Sequence, residues 1–232
     1  MKMKRSSAFL DLIRSIVDND FDAAERLLCV SPELAVAAAP IGATRQESVE
    51  HFFPEISHYL YGGDTALHMA AAACSGPLAE LLVSHGANPR AKNRRGAEPL
   101  HYAADGNQAK PQAQAGMVEY LISIGADPIA VDKSGVAPLH RAIRRRSLPA
   151  VRALLDGGAS VGQRNRSGST PLHLAVQNTG ASGSGSDAAH EQQAEIIKLL
   201  LERGARLTDR DHNGKTPEQA ALSEWIRELL LR

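Results

Sequence analysis

The clearest alternation of apolar and polar positions lies between Gly135 and Gly168. Leu139, Ala142 and Ile143 share one side of a short segment, Leu139 to Arg144, and Val151, Leu154 and Leu155 follow at i, i+3, i+4 spacing within Leu148 to Leu155. Apolar positions so spaced line one face of an α-helix. Pro138 stands at the first helical position, where its missing N–H costs nothing. Gly157-Gly158 closes the second helix, because a left-handed cap favours glycine. The pattern predicts a tight turn, a short inner helix, an outer helix and a return loop.

This unit recurs. Its opening phrase reads Gly63-Asp64-Thr65-Ala66-Leu67-His68, Gly96-Ala97-Glu98-Pro99-Leu100-His101, Gly135-Val136-Ala137-Pro138-Leu139-His140, Gly168-Ser169-Thr170-Pro171-Leu172-His173 and, degraded, Gly214-Lys215-Thr216-Pro217-Glu218-Gln219. The phrase glycines are 33, 39, 33 and 46 residues apart. Gly86, Gly125, Gly158 and Gly204 each precede Ala and lie ten residues before the next phrase glycine, so the return loops are constant in length. A period near 33 with a T-P-L-H-x-A phrase resembles the ankyrin repeat. The resemblance covers most of the chain. It implies an all-α ankyrin-repeat solenoid of stacked helix-turn-helix units with finger-like loops, whose usual work is binding, not chemistry.

Length varies in the helix-to-helix joints. Repeat 2 carries six extra residues within Gly106 to Gln112, and repeat 4 thirteen around Thr179 to Asp187, the second Gly/Ser-rich and expected to be a flexible exposed loop. Residues 1–38 read as an N-terminal helical capping unit. Phe9, Leu10, Leu12, Ile13, Ile16 and Val17 give one apolar face, and Ala23, Ala24, Leu27 and Leu28 the next. Residues 63–232 hold the five phrase-bearing repeats, the last a shortened C-terminal cap closed by Trp225, Ile226, Leu229 and Leu230. Residues 39–62 fit no repeat and form an irregular insertion rich in aromatics, either a loop folded over the stack or an exposed contact patch.

Composition narrows the function classes. Lys+Arg and Asp+Glu balance at 26 each in 232 residues, so net charge predicts no polyanion partner. Aromatics are only 4%, so Leu, Ala, Ile and Val must build the core. Cys29 and Cys74 supply neither a disulfide framework nor a metal cluster and read as small buried hydrophobes in a reducing compartment. The basic start, Met1 to Arg5, is followed by an apolar stretch broken by Asp11 and Arg14, a poor secretory signal and too short to span a membrane. The expectation is a cytoplasmic, monomeric protein.

Recurring histidines tempt a metal reading. Successive repeats set His68, His101, His140 and His173 about one helix-packing distance (~10 Å) apart, too far to share an ion. The resemblance implies instead that each bonds the backbone of a neighbouring turn. Thr65, Thr170 and Thr216 precede inner helices and are expected to cap them, whereas Glu98 and Ala137 stand there in repeats 2 and 3. His51, Glu55 and His58 do not make the H-E-x-x-H pattern of zinc peptidases, and the Gly/Ser run at 180–185 lacks a Walker lysine. We expect no catalytic, cofactor or metal residues.

A partner is expected at the finger tips and beside the inner helices, as the resemblance implies. Carried over by position, this gives Lys92, Arg94, Arg95, Asp105, Lys133, Arg144, Arg145, Arg164, Arg166, Gln177 and Asn178, with Arg141 and Arg146 flanking, and Tyr102, at the position equivalent to Arg141, and Tyr61 as candidate anchors. Among the eighteen positions so carried over, eight are Lys or Arg and one is acidic. The plain reading is a solvated charged face. The sharper one is a basic concave groove for an acidic segment of another protein. Nucleic acid on the same face is the alternative, opposed by a sequence pI near 7.1 and by few aromatics among the cations.

Overall fold

Local sequence accounts for most of the helices. Pro sits at the N-terminal end of α5 (Pro99–Ala104), α6 (Pro111–Ser123), α7 (Pro138–Arg144), α9 (Pro171–Ala175) and α11 (Pro217–Ala220), where no intrahelical N–H is required. The others are α1 (Lys2–Val17), α2 (Phe21–Val30), α3 (Ala66–Ala73), α4 (Gly76–Ser84), α8 (Leu148–Asp156), α10 (Asp187–Glu202) and α12 (Glu224–Leu230). The computed structural model describes residues 2–44, 48–106, 110–177 and 186–231, side chains from residue 7 onward. These residues form two compact units, Met1–Asp127 and Pro128–Arg232.

In the first unit the inner helices stack in the order α1, α3, α5, with α2, α4 and α6 behind them. Leu12, Ile13, Ile16, Leu67, Met69 and Leu100 are fully or almost fully buried in that core. Leu10, expected on the apolar face of α1, is instead 40% exposed. The 39–62 insertion is partly regular. Phe52–Phe53 (β1) and His58–Tyr59 (β2) pair antiparallel as a short hairpin, the one strand pair among the described residues. Leu60 and Ile56 are buried, whereas Phe52 is 39% exposed, so the aromatic-rich segment both covers the stack and shows a surface.

In the second unit α7 packs on α9 and α9 on α11, while α10 lies against α8 and α9. Ile226 and Leu230 of α12 are buried at its C-terminal end.

The extra residues of repeats 2 and 4 do not lie only in loops. Helix α6 has 13 residues and α10 has 16, against 9 in α4 and in α8. Residues 107–109 and 178–185, and with them the Gly/Ser-rich loop and Asn178, lie outside the described residues. Each lengthened outer helix buries a glutamine near its start. Gln114 donates to the carbonyls of Ala103 (2.9 Å) and Ala104 (3.1 Å), and Gln193 to those of Ala175 (2.6 Å) and Gln177 (2.8 Å). These donors satisfy carbonyls that the inner helices leave open at their ends.

The cysteines depart from expectation. Cys29 is exposed on α2 and Cys74 half-buried at the end of α3, so neither is a fully buried hydrophobe. Cys29 lies one residue beyond Leu28, which fills the core, and one step along a helix turns a side chain away from the buried face.

Candidate functional site

Four finger turns share one construction, and the residue that builds it stands three before the phrase glycine. Asn93, Asp132, Asn165 and Asp211 each accept two backbone N–H groups on one side-chain oxygen, from the residues two and four further on. The distances run from 2.8 to 3.1 Å. Asn and Asp favour turns because their side chains can bond backbone two residues on. The sequence reading missed these residues, although an Asn or Asp fixed at that offset in four repeats was the visible signal.

Adjacent fingers are tied through the residue after that one. Arg94 N–H donates to Gly62 O (2.8 Å), Arg166 N–H to Ser134 O (3.2 Å) and His212 N–H to Ser167 O (3.0 Å). The phrase glycine lets the adjacent finger segments approach. A Cβ on Gly135, which also has φ +70°, would lie 2.9 Å from Arg166 N.

The phrase histidines complete the frame. Nδ1 of His68, His101, His140 and His173 accepts the backbone N–H of the residue three earlier, at 3.0–3.3 Å. A nitrogen that accepts carries no proton, so the hydrogen sits on Nε2. Nε2 then donates to Ala97 O, Gln163 O and Lys215 O from His68, His140 and His173, at 3.0–3.1 Å. Burial is the main cause that drives the His140 pKa from 6.5 down to about 4. The expected threonine caps are modified accordingly. Thr65 and Thr170 direct their hydroxyls to His68 and His173 Nδ1 (2.9 and 2.8 Å), whereas the Thr216 hydroxyl accepts the Gln219 N–H at 3.3 Å.

Glu98 takes the threonine position in repeat 2. Its side chain is fully buried, and neither carboxylate oxygen accepts a hydrogen bond. Lys92 Nζ lies 3.6 Å away on the surface. Loss of solvation outweighs that attraction and raises the Glu98 pKa above the usual carboxylate range.

The expected binding residues divide into several groups. Arg141, half-buried, donates to Asp132 at 3.1 Å, and Arg164 pairs with Asp209 at 3.1 Å while also holding Gly168 O and Arg210 O. Burial disfavours ionisation of Asp132, but the Val136 and Ser134 N–H groups and Arg141 together hold its carboxyl below the ordinary range. Arg166 reaches Lys133 O at 2.6 Å and Arg94 reaches Ala43 O at 3.1 Å, so both guanidinium groups brace neighbouring loops. Lys92, Arg94, Arg95, Lys133, Arg144, Arg164, Arg166 and Gln177 are exposed, and Asp105 and Arg145 half-buried. Arg94, Arg95, Lys133 and Arg144 form no ion pair among the described residues.

Tyr102 must be withdrawn as an anchor. It is 1% exposed, and its hydroxyl donates to the Asp64 carboxylate at 2.7 and 2.8 Å and accepts from Asn93 Nδ2 at 2.9 Å. His58 stacks on its ring at 4.3 Å. The equivalence with Arg141 is sound, since Arg141 bonds Asp132 just as Tyr102 bonds Asn93. The position points back at its own finger and not outward.

On the first unit the insertion and the repeat-2 finger enclose a recess of about 320 Å³, lined among others by Tyr59, Tyr61, Arg94 and Arg95. The Arg95 guanidinium lies over the Tyr61 ring, 4.8 Å from its centre. Among the described residues no group of three or more His, Cys, Asp or Glu could hold a metal ion, and no helix is long and apolar enough to cross a membrane.

A family model described as ankyrin repeats (3 copies) matches residues 12–111 and 108–184, and one described as ankyrin repeat matches residues 167–212. A fowlpox virus (strain NVSL) protein named as an ankyrin repeat protein is 38% identical over 63 residues. That match spans 27% of this chain and 10% of the viral protein, so the chain covers about a tenth of that relative's length.

Proposed function

The chain belongs to the ankyrin-repeat family, and from that premise we propose a non-catalytic module, a scaffold or regulator, that binds a partner protein carrying an acidic segment through exposed finger cations. The observation that carries this reading is the contrast between two sets of cations. Arg141 and Arg164 are held by internal carboxylates. Arg95, Lys133 and Arg144 are exposed and make no ion pair among the described residues. An unpaired guanidinium can bind a carboxylate bidentately, and complementary charge speeds and orients docking.

Affinity capture from native extract, wild type against Arg95→Glu, Lys133→Glu and Arg144→Glu, tests the reading. Loss of the same captured protein in the reversed variants supports it, and undiminished capture in all three removes the basic residues from the interface. The nucleic-acid alternative is supported only by the same cations, and a gel-shift assay with random DNA and RNA at low salt decides it.

A further inference from the structure

We infer that the recess between the 39–62 insertion and the repeat-2 finger seats acidic side chains of the partner protein. This rests on the protein-binding reading above and narrows it to one place on the first unit.

The recess is held in shape by its backbone. Ala43 N–H donates to Leu60 O at 2.7 Å, Tyr61 N–H to Asp64 at 2.6 Å, and Arg94 N–H to Gly62 O at 2.8 Å. Both guanidinium groups are positioned before any ligand arrives. Arg94 gives one Nη2 hydrogen to Ala43 O, and Arg95 lies against the face of Tyr61. A guanidinium has five N–H donors in its plane. The Arg95 guanidinium makes no hydrogen bond or ion pair among the described residues, so its donors are available, and Arg94 keeps most of its donors. Neither arginine forms an ion pair among the described residues. Fixed cations lose little freedom on binding, so a carboxylate gains more of the interaction.

The aromatic rings argue for carboxylates over nucleic-acid bases. Base binding needs a free ring face to stack on. Arg95 lies over one face of Tyr61, and Tyr59 packs on Phe52 at 4.7 Å and lies 6.1 Å from Tyr61. The rings support the cations and each other.

Fluorescence anisotropy on the full chain tests the inference with three labelled probes: a C-terminally amidated hexaglutamate, a hexaglutamine and a thymidine hexanucleotide. Hexaglutamate should bind and weaken with salt, hexaglutamine should not bind, and the oligonucleotide should bind more weakly than hexaglutamate. Arg95→Gln should weaken hexaglutamate about tenfold, the loss of one charge-assisted contact. Tyr61→Leu should weaken it less, as should Lys133→Gln with Arg144→Gln, and Arg152→Gln, an exposed cation of α8 outside the proposed interface, should leave it unchanged. Far-UV melts confirm that each variant folds. Unchanged binding in Arg95→Gln overturns the inference, as does tighter binding of the oligonucleotide or no binding of hexaglutamate. If hexaglutamate binding depends on Lys133 and Arg144 but not Arg95, the recess is wrong and the wider reading stands. If the recess binds hexaglutamate as expected but capture from extract is indifferent to all charge reversals, the recess stands and the wider reading falls.

Discussion

The Tyr102 hydroxyl donates to the Asp64 carboxylate at 2.7 Å, joining the inner helix of repeat 2 to the phrase of repeat 1 across 38 residues. Asp64 is fully buried and also receives Asn93 Nδ2–H (2.8 Å) and the Tyr61 N–H (2.6 Å). A buried carboxylate that loses a donor bears the desolvation cost uncompensated. Tyr102→Phe should therefore destabilise the protein by about 1–3 kcal/mol with little change in packing. Urea unfolding followed by circular dichroism measures this. A change below a few tenths of a kcal/mol would show that water or another group replaces the hydroxyl.

Glu98 offers the opposite opportunity. Its oxygens are buried without hydrogen bonds at a position where repeats 1, 4 and 5 carry threonine. Glu98→Thr removes the buried carboxyl group and offers a hydroxyl to His101, as Thr65 does to His68. We expect stabilisation of about 1–2 kcal/mol at pH 7. Because the folded pKa of Glu98 is raised, the native state prefers the protonated acid, and the wild-type penalty grows as pH rises through that pKa. The gain from the substitution should thus shrink as pH falls toward 4.5. Equal stability of the two proteins at pH 7 would contradict a net cost of burying this carboxyl group.

These two residues show where sequence reasoning stopped. The glycines, prolines and histidines of the phrase were legible because their roles are local or repeat with the period. The repeat pattern alone offers Tyr102 as an anchor, at the position equivalent to Arg141, yet its environment is set by Asp64 and by His58 of the non-repeating insertion. Likewise Arg164 and Arg166 read as free cations, but they bond the carbonyls of neighbouring fingers. Charge is visible in sequence. The carbonyl that will meet it is not, because every residue carries one.

His140 should confer a pH dependence of the opposite kind. Its pKa is lowered from 6.5 to about 4, chiefly by burial. The native state therefore prefers the neutral ring. This contribution is fully present above the unfolded value of about 6.5 and is lost as pH falls toward 4, amounting to about 3 kcal/mol across that window. Protonation of the ring would also cost the bond that Nδ1 accepts from the Ala137 N–H at 3.0 Å. In proton NMR the His140 ring signal should stay fixed between pH 7.5 and 5.5. A midpoint near 6.5 would show that this bond opens in solution.

The exposed thiol gives a chemical test of the first unit. Cys29 is exposed and Cys74 half-buried at the end of α3. A disulfide reagent on the native protein should titrate Cys29 in a fast phase and Cys74 more slowly, since access limits the rate. Cys29→Ser should abolish the fast phase without changing the melting temperature by more than a degree or so, a surface substitution being within about 0.5 kcal/mol of neutral. Two equally slow thiols would mean that Cys29 is covered.

Gly135 and Gly204 separate backbone strain from close approach. Both have positive φ, +70° and +90°, so alanine is disfavoured at each by about 1–2 kcal/mol. Only Gly135 faces another chain segment, with the Arg166 amide nitrogen 2.9 Å from where a Cβ would stand, whereas nothing lies within 4 Å of that point at Gly204. The clash at Gly135 is with backbone that is itself bonded to Ser134 O, so it cannot yield as a flexible side chain would. Gly204→Ala should cost the strain alone, and Gly135→Ala about 1–3 kcal/mol more, the usual penalty for forcing extra atoms into a packed contact. Both positions lie in the second unit, and Trp225, the single tryptophan of the chain, reports its unfolding by fluorescence. Equal destabilisation by the two substitutions would mean that the finger of repeat 4 can move away from that of repeat 3, and that the phrase glycine is required for its φ alone.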